Sequence, residues 1–154
     1  MKGREMKISN NFTLEEFEKS ETALAYGIDN AMPANLRENI VALVNNLLQP
    51  LCDNTGWSCL ISSGYRCDRL NRKVGGADMS QHTTAEAADC KFYIKENGRT
   101  VFISTIQVMK KVNELKLEFD QMIAYPSFVH LSFTMKRRNR HQVLYNSSYK
   151  GERL

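Results

Sequence analysis

The amino-acid sequence predicts an α+β domain in which N-terminal helices pack on a mainly antiparallel sheet. Three observations carry that expectation. Apolar residues recur at helical spacing through the first third of the chain, and short strand-like runs bounded by turn residues fill the rest. The third is size: 154 residues, 42% of them hydrophobic, are enough for one buried core. With 25% charged residues the composition is that of a globular protein, which excludes disorder as the global state. No apolar run reaches the ~18–20 residues of a membrane span.

Residues 1–10 show no periodicity and read as an N-terminal extension, with the domain at 11–146 and a C-terminal tail at 147–154. Thr13 followed by Glu16 is a capping-box signature, and it predicts a helix through about Tyr26 with Leu14, Phe17 and Leu24 inward. Asn30–Pro33 opens a second helix whose apolar face is Leu36, Ile40, Leu43, Val44, Leu47, Leu48 and Leu51. Pro50 should end or kink it, and Asn54–Gly56 closes the segment. Ser58–Ser62 reads as a strand broken by Ser63–Gly64, and a polar stretch follows to Val74–Gly76. Ala87–Tyr93 is the next strand, with a turn at Asn97–Gly98. Val101–Leu115 reads as a third helix, burying Val101, Ile106, Val108, Met109 and Val112. Phe119–Ala124 and Phe128–Phe133 form a hairpin across Tyr125–Ser127, and Gln142–Tyr145 is a last strand.

The net charge of +4 is a mild basic excess, short of the polycationic stripe of a nucleic-acid binder. The run Lys136–Arg140 therefore reads as a solvated basic tail, and no nucleic-acid partner is expected. The charged residues Met1–Glu5 and the polar ones after them lack the form of a secretory signal, so the expectation is a product made in the cytoplasm. Cys52, Cys59, Cys67 and Cys90 form no C-x-x-C pair, which argues against a zinc knuckle or redox dithiol. They read as buried thiols of a reducing compartment, or as a disulfide formed only after release.

The chain holds three histidines, His82, His130 and His141. His82 precedes Asp89 in a polar segment, Ser80–Asp89, and His130 lies in an apolar strand. In isolation each histidine also fits an ordinary structural role. Together, two histidines and an aspartate make a three-ligand set for a catalytic zinc, leaving a fourth position for water. Such a zinc lowers the pKa of bound water to about 7 and polarises a carbonyl.

The string Ser80-x-His82-x-x-Ala85-x-Ala87-x-Asp89 resembles the signature of the zinc D-Ala-D-Ala peptidase family. That family includes D-alanyl-D-alanine carboxypeptidases and dipeptidases, phage L-alanyl-D-glutamate endolysins and the related hedgehog fold. Ser62–Asn71 with Val74–Gly76 resembles the family's substrate-side segment. Phe119–Ile123, Phe128–Ser132 and Asn139–Leu144 resemble the closing segments of its small phage and bacterial members. The resemblance implies a hedgehog-like α+β fold and one Zn2+ held by His82, Asp89 and His130. It also implies a substrate contact from Arg66, whose guanidinium can hold a carboxylate or a developing oxyanion. Ser80 reads equally as a turn hydroxyl or a substrate contact, and Arg66 taken alone as a surface partner of Asp68 or Asp78.

Two positions depart from the pattern. Ala85 stands where the family usually has Gly, and Ser127 where it carries an acid three residues before the last histidine. A serine hydroxyl is no general base at neutral pH. The nearest acid, Asp120, is the candidate for that role or a structural acceptor. Glu86 reads as a solvated loop residue, and His141 as part of the basic tail. The implied function is a zinc metallopeptidase acting on peptidoglycan stem peptides, as a carboxypeptidase or an endolysin. It would work at the cell wall after release or as a virion component. The alternative is a catalytically impaired module that binds wall peptide or a protein.

Overall fold

The computed structural model of the chain describes residues 6–154, so Met1–Glu5 of the expected extension lie outside the described residues. Lys7–Ser9 (β1) and Phe12–Thr13 (β2) form a small antiparallel pair, which takes the rest of that stretch into the fold. Helix α1 (Leu14–Glu18) follows, with the Thr13 N–H donating to the Glu16 carboxylate at 2.9 Å. The single helix expected through Tyr26 is instead two. The chain breaks at Lys19 and restarts as α2 (Glu21–Ala25), where the Ser20 hydroxyl accepts the Ala23 N–H at 3.1 Å. The break turns Leu24 outward, 85% exposed, against the expectation that it faces the core.

A 3-10 turn (Ala34–Leu36) leads into α3 (Arg37–Leu43), a π-helical turn (Val44–Leu48) and α4 (Gln49–Thr55). Helical backbone thus runs past Pro50, which neither ends it nor leaves it. Pro50 sits in the first turn of α4, just after the π turn, where a missing N–H costs least. Ile40, Leu43, Val44, Leu47, Leu48 and Leu51 are all fully buried, as their spacing predicts.

The remaining elements are β3 (Ser58–Ser63), α5 (Asp68–Lys73), β4 (Ala87–Glu96), β5 (Arg99–Phe102), α6 (Thr105–Glu114), β6 (Gln121–Ala124), β7 (Val129–Ser132) and β8 (Gln142–Tyr145). Helix α5 lies in the stretch read as merely polar, its first turn capped by the Cys67 sulfur accepting the Leu70 N–H. Val101 is not helical: it pairs with Ile94 in β5 and is exposed, and α6 begins only after Ser104. A β-branched run returning from the Asn97–Gly98 turn, where both residues have positive φ, fits a hairpin better than a helix start.

The six-stranded sheet has the order β3-β4-β7-β6-β8, with β5 added to the far half of β4. Every pairing in it is antiparallel except β6 with β8. One face packs on the helices: Ala88, Cys90 and Phe92 of β4 and Val129 and Leu131 of β7 are buried with Leu43, Leu47 and Met109. Tyr149 is buried against this core too, beyond the boundary expected at 146. The four cysteines are free thiols, and burial, with Cys90 and Asp53 nearby, pushes Cys52 up to about 12. Among the described residues no helix is long and apolar enough to cross a membrane.

The opposite face carries one transverse row. Ser63 pairs with Asp89, Asp89 with His130, His130 with Ile123, and Ile123 with Leu144. Side chains at such positions project from the same side of the sheet.

Candidate metal centre

Asp89 and His130 are direct cross-strand partners, and His82 reaches them from the loop that enters β4. Asp89 Oδ1 lies 3.0 Å from His130 Nδ1 and 3.3 Å from His82 Nε2. One ligand atom from each of the three lies within 4.8 Å of the others, an arrangement that can hold a metal ion. The two imidazoles meet edge to face, their centroids 5.1 Å apart.

The protonation pattern suits ligation. His82 Nδ1 lies 2.6 Å from the Gly64 carbonyl oxygen and donates to it, which leaves the Nε2 lone pair for a ligand. Burial lowers the His130 pKa, against the opposing pull of Asp89, and so favours the neutral imidazole. Burial raises Asp89, but the His130 and His82 imidazoles beside it outweigh that effect and hold the carboxyl well below its usual range. The loop feeding His82 turns sharply at Ala85, fully buried with φ of 60°. Its left-handed backbone accounts for glycine in the pattern this sequence resembles.

The site opens into a cleft with two lobes of about 560 Å³ each. Arg66, Val74 and Asp89 line both. One lobe lies over the three ligands; the other runs between the Lys19–Thr22 segment and β3, a strand at the edge of the sheet. Arg66 therefore stands where the lobes meet. It makes no ion pair with Asp68 or Asp78 among the described residues, and its buried Nε has no hydrogen-bond partner. The Ser80 hydroxyl accepts the His82 N–H at 3.2 Å, a turn contact, and the residue also lines the lobe over the triad.

Of the two roles open to Asp120, the contacts are those of a structural acceptor: it is completely buried and both its oxygens are occupied. Oδ1 accepts from Arg137 Nη1 at 2.7 Å and from the Arg140 N–H at 2.9 Å; Oδ2 accepts from Arg140 Nη2 at 2.8 Å and Gln81 Nε2 at 2.9 Å. Burial raises its pKa, but these donors outweigh it and leave the carboxyl far below the ordinary range. The same bonds fold the basic segment inward, so Arg137 and Arg140 are not merely a solvated tail. Glu86, expected to be solvated, is buried beside Thr84, with Lys136 Nζ at 3.7 Å. His141 pairs with Glu118 at 2.7 Å and stacks on Phe119, outside the cleft.

Ser127 is exposed and lines a small cavity on the core side of β7, with Cys90, Phe92 and Val108. Pro126 and Ser127 lie in the bend between β6 and β7, outside either strand. Of the turn residues Tyr125–Ser127, Tyr125 lines the cleft, two places beyond Ile123, which is paired with His130. Counting by two from Ile123 finds it.

An antiparallel sheet presenting two imidazoles and a carboxylate at the floor of a cleft defines a domain equipped to hold one metal ion. Residues 10–132 match the profile of the family described as Peptidase M15, and the chain belongs to that family. No curated protein matches the chain.

Proposed function

We propose that the protein is a zinc metallopeptidase that hydrolyses peptide bonds in peptidoglycan stem peptides. The observation that carries the reading is the convergence of His82, Asp89 and His130 at the floor of the cleft in a Peptidase M15 chain. Donors on a tetrahedral zinc, with bonds of about 2.0–2.1 Å, sit roughly 3.3 Å apart. The spacings of 3.3 and 3.0 Å about Asp89 Oδ1 are close to that edge. Zinc bound there supplies acidified water and an electrophile for the scissile carbonyl. Arg66, unpaired at Nε and shared by both lobes, is placed to hold a substrate oxygen. The continuation of the cleft on both sides of Arg66 favours a stem peptide lying across the triad, as in an endolysin, over recognition of a chain end alone. Action at the cell wall follows, after release or from a virion.

A second reading, a binding module with impaired catalysis, has its own observation. Among the described residues, the cleft lobe over the triad is lined by no carboxylate other than Asp89. Metal analysis of the purified protein, followed by incubation with muropeptides with and without chelator, separates the two. Bound zinc with chelator-sensitive cleavage supports the peptidase. Bound zinc with no product selects the binding module.

A further inference from the structure

Tyr125 is the one hairpin side chain that sequence comparison with the family did not single out and that the fold nevertheless delivers to the cleft. It lines the lobe over the triad together with Arg66, His82 and His130. Its position is held from several directions. The Tyr125 N–H donates to the Phe128 carbonyl at 3.1 Å, closing the turn. The Thr105 hydroxyl, at the start of α6, contacts the Tyr125 and Phe128 carbonyl oxygens at 3.1 and 3.3 Å. The phenol ring lies flat on Phe128, with centroids 4.4 Å apart and planes 13° from parallel. A ring stacked and tied in this way has few orientations left, which is what a preorganised donor requires.

The other candidates for polar work in this hairpin are spoken for. Ser127 is an exposed bend residue outside the lining of this lobe, and Asp120 is saturated by Arg137, Arg140 and Gln81. We propose that Tyr125 is a catalytic residue whose phenol donates a hydrogen bond to the scissile carbonyl oxygen as it becomes an oxyanion, forming with Arg66 a two-donor oxyanion site. This rests on the peptidase reading for the identity of the substrate. Burial, and then the neighbouring Asp89, raise the phenol's pKa against a smaller opposing effect of Arg66, which keeps the proton in place for donation. A phenol in that state is a donor and not a base, so the role assigned to Tyr125 differs from that of the missing acid. No bond to Tyr125 forms or breaks, and the proton stays on its oxygen throughout.

The test is Tyr125→Phe, which keeps the stack on Phe128 and the turn and removes only the hydroxyl. Two measurements are made on zinc-loaded protein. One is the affinity for a phosphinate analogue of the stem peptide, whose tetrahedral anion imitates the oxyanion, alongside the affinity for the corresponding uncleaved peptide. The other is kcat and KM. Loss of one oxyanion donor is worth about 10²–10³-fold, so phosphinate affinity and kcat should each fall by roughly 10²-fold. Uncleaved-peptide affinity, KM and zinc content should change by less than about threefold, because the ground-state carbonyl is a weaker acceptor. Ser127→Ala, in the exposed bend outside that lobe, should leave all of them as in the parent. Equal phosphinate affinity in the parent and Tyr125→Phe overturns the assignment, as does an equal loss for phosphinate and uncleaved peptide. If the parent discriminates through Tyr125 but turns nothing over, the donor role stands and the peptidase reading falls.

Discussion

The carbonyl oxygen of Gly64 lies 2.6 Å from Nδ1 of His82, and the glycine that supplies it has no room for a side chain. A Cβ built there would meet the Phe17 carbonyl oxygen at 2.6 Å and its Cα at 2.7 Å, both backbone atoms of α1. The packing of the first helix against the end of β3 is thereby coupled to the orientation of a metal ligand. Gly64→Ala should shift this backbone and lower metal affinity by about 10–100-fold, the usual cost of disturbing an outer partner of a ligating histidine. Competition with a chromophoric chelator measures it. Unchanged affinity would mean that the carbonyl does not orient His82.

His82→Ala should remove both the metal and any cleavage, since a ligand atom is lost. Arg66→Ala should leave metal content intact and weaken handling of substrate, because Arg66 lines the cleft without joining the ligand set. Metal analysis beside steady-state kinetics on both variants checks this. Equal loss of metal in the two would make Arg66 a structural residue.

Asp120→Asn removes the charge that Arg137 and Arg140 grip, and should destabilise the fold at neutral pH by about 3 kcal/mol, at the low end for a broken buried pair because both arginines reach solvent. The pH dependence has a definite sign. The folded-state pKa of Asp120 is depressed, so its contribution is complete above the unfolded carboxyl value of about 3.9 and is lost as pH falls below it. Urea denaturation should therefore show a large gap between parent and variant at pH 7 that narrows steadily below about pH 4. A gap independent of pH would assign the effect to packing.

Ser127→Glu should give no gain in peptidase activity. The position is an exposed bend residue that does not line the lobe over the triad, and its neighbours in the small cavity are Cys90, Phe92 and Val108. A rise of tenfold or more in kcat would show that the hairpin reorganises in solution.

Lys116 follows α6 with φ of 54°, and the next N–H, of Leu117, donates to the Val112 carbonyl at 3.1 Å in the manner of a Schellman cap. The side chain is exposed, so glycine loses no packing there. Relief of left-handed strain, set against the greater unfolded-state freedom of glycine, should make Lys116→Gly more stable by roughly 0.5–1 kcal/mol. For a domain of this size, that is about 1–4 °C in thermal midpoint. A lower midpoint would refute it.

Much of this architecture is legible in the sequence because it rests on local periodicity. The buried face from Ile40 to Leu51 and the hairpin around Pro126 are of that kind. The meeting of His82, Asp89 and His130 is legible for a different reason, through the spacing and resemblance of the motif. Val101 and Leu24 were misplaced because apolar spacing alone cannot distinguish a short strand or a helix break from a longer helix. Tyr125 lies between the segments that resemble the family, so only the fold brings it to the cleft. The grip of Arg137 and Arg140 on Asp120 left no local sign, since its partners meet only when the segment before β8 folds back.

Because Asp89 and His130 face each other directly across β4 and β7, their pairing also tests the alignment of the two strands. A slip of one residue would carry His130 to the apolar side and bring Val129 or Leu131 opposite the carboxylate. Only the native alignment then offers an ion its full set of donors. An ion bound there would act as a proofreader of assembly, withdrawing correctly zipped molecules from the pool of mis-zipped ones by mass action. Chains refolded in chelator would lack that arbiter and should yield a larger share of out-of-register, association-prone product than chains refolded with zinc.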